Sequence, residues 1–178
     1  MPSRYSMESQ NIRLTKGKAV ELARQGGFTG TPTFLASRSV RKAFGEGLVR
    51  GWLRSLGNDV KDESLLIRAD DYGLEVFPSL KRFRRIDVIT SNEKLAVEVK
   101  TYGSHSLQSS GDTLEEQLAD FLRWRRSSRG RQLILAVVHY FGEPVVSRPD
   151  LRFIRANRIP IMRFIIRGMQ AKYDAHRM

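Results

Sequence analysis

The chain has no cysteine among its 178 residues. Disulfides, thiol nucleophiles and cysteine-ligated zinc are thereby excluded. A reducing cytoplasm suits that composition, and a cytoplasmic location is the expectation. The sequence also lacks any stretch of about 18 apolar residues, so no membrane span or membrane partner is expected. Its N-terminus has no apolar signal-peptide core. Acids are scarce relative to bases: 19 Asp plus Glu face 31 Lys plus Arg, a formal net charge of +12. Such an excess suits a polyanion, because each phosphate neutralised releases condensed counterions. Solubility alone, or a basic binding protein without catalysis, would also account for it. Internal repeats are absent, and the length suits one domain with a core of ordinary size.

Along the chain, residues 1–14 are mostly polar and read as mobile. Lys16–Gln25 reads as a short helix stopped by Gly26-Gly27, and Phe28–Ser37 as a turn-rich connection. These make an N-terminal basic, partly flexible segment, residues 1–38, ahead of a core domain, residues 39–178. Ser39 is the expected cap of a helix Val40–Leu56, with Gly57-Asn58 its stop. Val60–Arg68 is a strand or an irregular approach, and Asp70–Gly73 a turn. Arg84–Thr90 and Lys94–Tyr102 read as a β-hairpin, followed by a polar loop, Gly103–Asp112. Thr113 then caps Leu114–Ser127. The continuous apolar run Leu133–Val138 marks a strand buried on both faces. Pro149 opens a helix to Asn157, and Ile159–Ile166 is the last strand. This order predicts an α/β fold with a mixed central sheet flanked by helices.

The chemistry concentrates in the hairpin. Polar and apolar residues alternate through it, placing Ile86, Val88, Leu95, Val97 and Val99 on one face. Asp87, Glu98 and Lys100 fall on the other. A turn on Asn92-Glu93 sets Asp87 opposite Glu98, with their Cβ atoms roughly 4.5–5.5 Å apart. Carboxylates that close repel each other unless a cation lies between them. A solvated amphipathic hairpin with a charged outer face would show the same pattern.

This constellation resembles the PD-(D/E)XK nuclease superfamily, which includes Holliday-junction resolvases and many restriction and toxin nucleases. Asp87 matches the first acid of that motif, and Glu98 and Lys100 match its E-x-K. Ile86 stands where the motif often has proline. The resemblance spans about Val40 to Phe141 and implies a restriction-endonuclease-like mixed sheet flanked by helices. It further implies that Asp87, Glu98 and the Val99 carbonyl hold one or two Mg²⁺ ions, with Mn²⁺ able to substitute. Magnesium favours such hard oxygens and would activate a water to cleave a phosphodiester bond, while Lys100 orients that water or neutralises developing charge. In that fold the helix before the hairpin often supplies another acid. Glu46 is the candidate, with Asp71 and Glu75 as alternatives. Gln117-x-x-x-Phe121 is similar to a Q-x-x-x-Y element whose glutamine orients the lysine or the substrate. An exposed surface glutamate and glutamine would look the same.

Arg82, Arg84 and Arg85 precede the first acid, and Arg123, Arg125, Arg126, Arg129 and Arg131 cluster later. Both groups suit phosphate contacts, and Trp124 either stacks on a base or belongs to the core. His105, His139 and His176 are not expected to be ligands. The expected activity is Mg²⁺-dependent DNA endonuclease cleavage. An RNA-cleaving, toxin-type nuclease acting on tRNA and a non-catalytic nucleic-acid-binding module remain open. The resemblance brings two partners besides nucleic acid: a second copy for cutting both strands, and an acidic inhibitor if the chain is a toxin.

Overall fold

Ile12 and Leu14 alternate with polar neighbours in Gln10–Thr15, which forms the first strand, β1. Thr15 ends it and caps helix α1, Lys16–Gln25, its hydroxyl accepting the Lys18 N–H at 3.2 Å. Ser37 caps α2, Arg38–Ser55, two residues earlier than expected, by accepting the Val40 N–H at 3.3 Å. Gly57, at a φ of 89°, turns the chain away beyond it; only glycine adopts that geometry readily. There follow β2 (Leu65–Arg68), a short 3-10 helix (Ala69–Tyr72), β3 (Phe83–Ile86), β4 (Val88–Ile89) and β5 (Leu95–Tyr102). The chain continues through α3 (Leu114–Arg126), β6 (Gln132–His139), α4 (Arg148–Ala156) and β7 (Ile161–Arg167). The structure, a computed structural model, describes residues 7–33, 37–102, 113–139, 146 and 148–167. The 103–112 loop, His105 and His176 lie outside the described residues.

The fold is mixed α/β. Five strands form the main sheet in the order β1-β7-β6-β5-β4, with only β4 antiparallel to its neighbour. β2 and β3 make a separate antiparallel ladder. Residues 10–14, expected to be mobile, instead form with Thr15 an edge of the main sheet, paired parallel with β7. Ser9 Oγ accepts the Ile161 N–H at 2.9 Å beside them. The polar residues of β1 lie on its exposed face, as an edge strand allows.

Helices cover both faces. Ala19, Leu22 and Ala23 of α1 and Phe44, Leu48 and Leu53 of α2 pack on one, against Val97, Val99 and Phe164. Leu118, Phe121, Leu122 and Trp124 of α3 and Ile154 of α4 pack on the other. β6 gives Ile134, Ala136 and Val138 to the first core and Leu133, Leu135 and Val137 to the second. Its unbroken apolar run is thus buried on both faces. α2 sits unusually close to its neighbours. A Cβ on Gly51 would lie 1.8 Å from the Leu22 carbonyl oxygen of α1, and one on Gly45 would lie 1.8 Å from Thr101 Oγ1 of β5. A side chain at Gly51 would push α2 away from α1, and one at Gly45 would lift α2, with the adjacent Glu46, off the sheet. Among the described residues no helix is long and apolar enough to cross a membrane.

Candidate active site

The expected single strand Arg84–Thr90 is broken at Asp87. β3 leaves the main sheet to pair with β2, Ile86 opposite Leu65. β4 pairs with β5 in the expected register, Val88 opposite Val97 and Ile89 opposite Ala96. Had the ladder continued, the Val99 N–H would have met the Ile86 carbonyl. It donates instead to Asp87 Oδ2 at 2.9 Å, so a side chain closes the ladder where the backbone departs. The break also sends Ile86 into the α3-side core, away from Val88 on the α2 side. The ladder therefore ends one residue short of an Asp87–Glu98 pair, yet the two carboxyls are near enough for the charge of Asp87 to act on Glu98.

Neither acid is solvated: Asp87 and Glu98 are each 6% exposed. The solvated hairpin is thereby excluded. Glu46 reaches the same spot from α2, where the charge of Asp87 also acts on its carboxyl. Arg50, one turn along α2, places Nη2 3.9 Å from Glu46 Oε2 and donates to the Asp87 carbonyl oxygen at 3.2 Å. From β5, Lys100 Nζ lies 3.1 Å from Glu98 Oε1 and donates to Gln117 Oε1 of α3 at 2.6 Å. Glu46, Asp87, Glu98, Lys100 and Gln117, drawn from α2, the β3–β4 break, β5 and α3, are thus brought together.

Burial, and then the charge of Asp87, push the Glu98 carboxyl up to about 8, against the pull of Lys100. The same two causes push Glu46 up to about 7, although Lys42 and Arg50 oppose them. Near neutral pH these carboxyls hold protons that an exposed glutamate would have lost. The carboxyls form a row with Asp87 in the middle; among the described residues no three acids or imidazoles surround one metal position. Two hard-oxygen carboxylates are nevertheless enough for magnesium, which keeps several of its waters. The acids present therefore fit a divalent metal.

The shifts have a consequence for stability. Each raised carboxyl keeps its proton in the folded chain over a range where the unfolded chain has released it, from about 4.5 up to about 8 for Glu98. Stability must therefore fall as pH rises through that window. In EDTA, Tm is expected to be lower at about pH 8 than at about pH 6, and Mg²⁺ to raise it most at the higher pH. Glu98→Gln should flatten the slope and raise Tm at alkaline pH by about 2–4 °C for each kcal/mol regained. Parallel melting curves for the two proteins across this range would rule out titration of Glu98.

The remaining expected residues are elsewhere. Glu75 is exposed, and Asp71 lines a cleft with Tyr72, Arg123, Ser127 and Arg131. Trp124 is 1% exposed with Arg131 stacked over its ring at 4.5 Å, so it is core and cannot stack on a base. Arg84 is tied up as well, its Nε donating to the wholly buried Asp120. Arg82 and Arg85 are exposed beside β3. Arg125 donates to the Asn157 carbonyl at 3.1 Å and, with Arg126, Arg131 and Arg158, lines a cleft of about 400 Å³. That cleft lies at the far end of β5: Gln132 pairs with Leu95, and Lys94 Nζ donates to the Arg129 carbonyl at 3.0 Å. Three to five strand residues, about 10–17 Å, separate it from Glu98 and Lys100.

Sequence reasoning missed Arg50, Asp120 and Ser79. Arg50 had a signal, its i,i+4 spacing from Glu46. Asp120 follows Gln117 by one turn on α3, and its carboxylate accepts the Ser79 N–H at 3.0 Å and hydroxyl at 2.6 Å. Set beside known protein families, curated proteins and solved structures, the chain shows no match.

Proposed function

We propose that the chain is a metal-dependent nuclease of the restriction-endonuclease-like kind, hydrolysing phosphodiester bonds in DNA. One observation carries this: two buried carboxyls, Asp87 and Glu98, are gathered with the half-buried Glu46 and Lys100, and a glutamine holds the lysine. Burial of mutually repelling acids destabilises a fold, and a cation site explains why this one retains them. Asp87 and Glu98, with the Val99 carbonyl, would hold one or two Mg²⁺ ions, and Mn²⁺ would substitute. When bound, the metal supplies a polarised water for in-line attack and positive charge at the scissile phosphate.

The chain's own groups do the rest. An ammonium has three N–H donors. Gln117 and Glu98 engage two on Lys100, which leaves one to direct at the attacking water or a phosphate oxygen. Gln117 is a positioning residue, since it acts through Lys100. Glu46, titrating near neutrality, is suited to hold a proton at the margin of the site and to release it when a cation raises the local positive charge. Arg50 fixes the Asp87 backbone at the strand break, which keeps the carboxylate aimed along the edge of β5.

The decisive experiment incubates purified protein with plasmid DNA, branched DNA and tRNA, in Mg²⁺ and in EDTA. Cleavage of DNA that requires Mg²⁺ is the expected result. Cleavage of tRNA alone would make the enzyme a ribonuclease, and binding without cleavage under all metal conditions would reduce it to a binding module. Sedimentation with and without duplex DNA would report whether two copies act together.

A further inference from the structure

The β2–β3 ladder stands apart from the main sheet and has two very different faces. Leu66 pairs with Arg85, and Arg68 with Phe83. Alternation turns Ile67 and Ile86 into the α3-side core and leaves Leu66, Arg68, Phe83 and Arg85 on the outside. All four are exposed, Phe83 by 49% and Leu66 by 44%. The Arg68 guanidinium lies 5.4 Å from the centre of the Phe83 ring. Arg85 is steadied by Ser64, whose hydroxyl accepts from Nη1 at 2.9 Å. Lys81 and Arg82, just before Phe83, are exposed too. The ladder face therefore carries an aromatic ring between cations and no acid.

This pattern selects its occupant by charge and shape. An apolar protein surface would desolvate Arg68 and Arg85 without pairing them. An unpaired nucleic-acid strand satisfies both kinds of group at once, its bases against the ring and its phosphates against the guanidiniums. A perfect duplex cannot use the ring, because its bases are already stacked inside. Position agrees with this: β3 runs straight into Asp87, four residues beyond Phe83, or about 13 Å along a strand. We propose that the outer face of β2–β3 is a base-stacking platform that holds an unpaired strand and leads it to the acids. Its place in catalysis rests on the nuclease reading, whereas binding is measurable without it. The substrate class follows: single-stranded or branched nucleic acid, with strand ends or junctions preferred to intact duplex.

The test uses the full chain in EDTA and fluorescence anisotropy with a labelled single strand and the same sequence as duplex. Phe83→Leu keeps an apolar side chain but removes the ring. It is expected to weaken single-strand binding about 5- to 150-fold, the range for one stacked base, with much less effect on duplex. Phe83→Trp should retain single-strand affinity. Arg68→Ala and Arg85→Ala should each lower the slope of log affinity against log salt by about 0.7. Single strands carrying 5-iodouracil should photocross-link to Phe83. Unaltered single-strand affinity in Phe83→Leu would overturn the platform, even if Mg²⁺-dependent cleavage persisted. Conversely, Phe83-dependent binding by a protein that cuts nothing in Mg²⁺ would sustain the platform and sink the nuclease.

Discussion

Lys100→Ala is expected to lower Mg²⁺-dependent cleavage about 10²- to 10³-fold, the usual effect of removing one preorganised group that stabilises developing charge. Nucleic-acid affinity should stay nearly unchanged, because the half-buried side chain is bonded to Gln117 and paired with Glu98 rather than spread on the surface. A second signature separates this from simple misfolding. Lys100 pulls the Glu98 carboxyl downward against burial and Asp87, so its removal must drive that carboxyl higher still. The residual activity of the variant should therefore need a more alkaline pH than the wild type. Gln117→Ala leaves the ammonium present but less well aimed; its loss should appear in kcat, with KM unchanged. Single-turnover cleavage across a pH series measures all three effects, and wild-type turnover in Lys100→Ala would end the assignment.

Asp120→Ala is expected to be among the most destabilising single changes in the chain. The carboxylate is 0% exposed and is shared by Arg84, the Ser79 hydroxyl and the Ser79 N–H. Removing it strands a largely buried guanidinium and two further donors. Breaking a buried pair in this way costs about 3–5 kcal/mol, which for a chain of this size lowers Tm by about 6–20 °C. Arg84→Ala should be similarly harmful, since it leaves the buried carboxylate without its cation. The double variant should fall well short of the sum of the two. Denaturant melts of the four proteins make that comparison, and additive losses would show that the groups do not act as a pair. The network also matters beyond stability: it ties β3 to α3 three residues before Asp87, and a slack β3 would loosen both the acid and the ring of Phe83.

Much of this was legible in the residues themselves. The period of α3, the unbroken apolar run of β6 and the hairpin register at Val88–Val97 follow from local pattern and turn placement. So does the grouping of Asp87, Glu98 and Lys100. What escaped was decided by distant partners. Alternation runs unchanged through Arg84–Thr90, yet the backbone leaves the sheet at Asp87, because Leu65 is available to Ile86 and the Asp87 side chain can take the Val99 N–H. Gln10–Thr15 carried its alternation openly, but its partner, β7, lies some 150 residues later. Trp124 followed Phe121 by one turn on the apolar stripe of α3, which marked it as core; the neighbouring arginines obscured this. A buried Asp120 has no local signal at all, since only the fold brings Ser79 and Arg84 to it.

The pairing of β1 with β7 bears on how the protein is made. A strand near residue 10 waits for a partner near residue 164, so the main sheet cannot finish during synthesis until residue 167 has emerged from the ribosome. Until then α1 can lean on α2, while β1 remains an unmatched ribbon beside whatever else the cell offers. Pairings between such distant segments form slowly, and unmatched strands invite the wrong neighbours. A chain cut short between α4 and β7 would leave β1 without a partner and β6 with one unpaired edge.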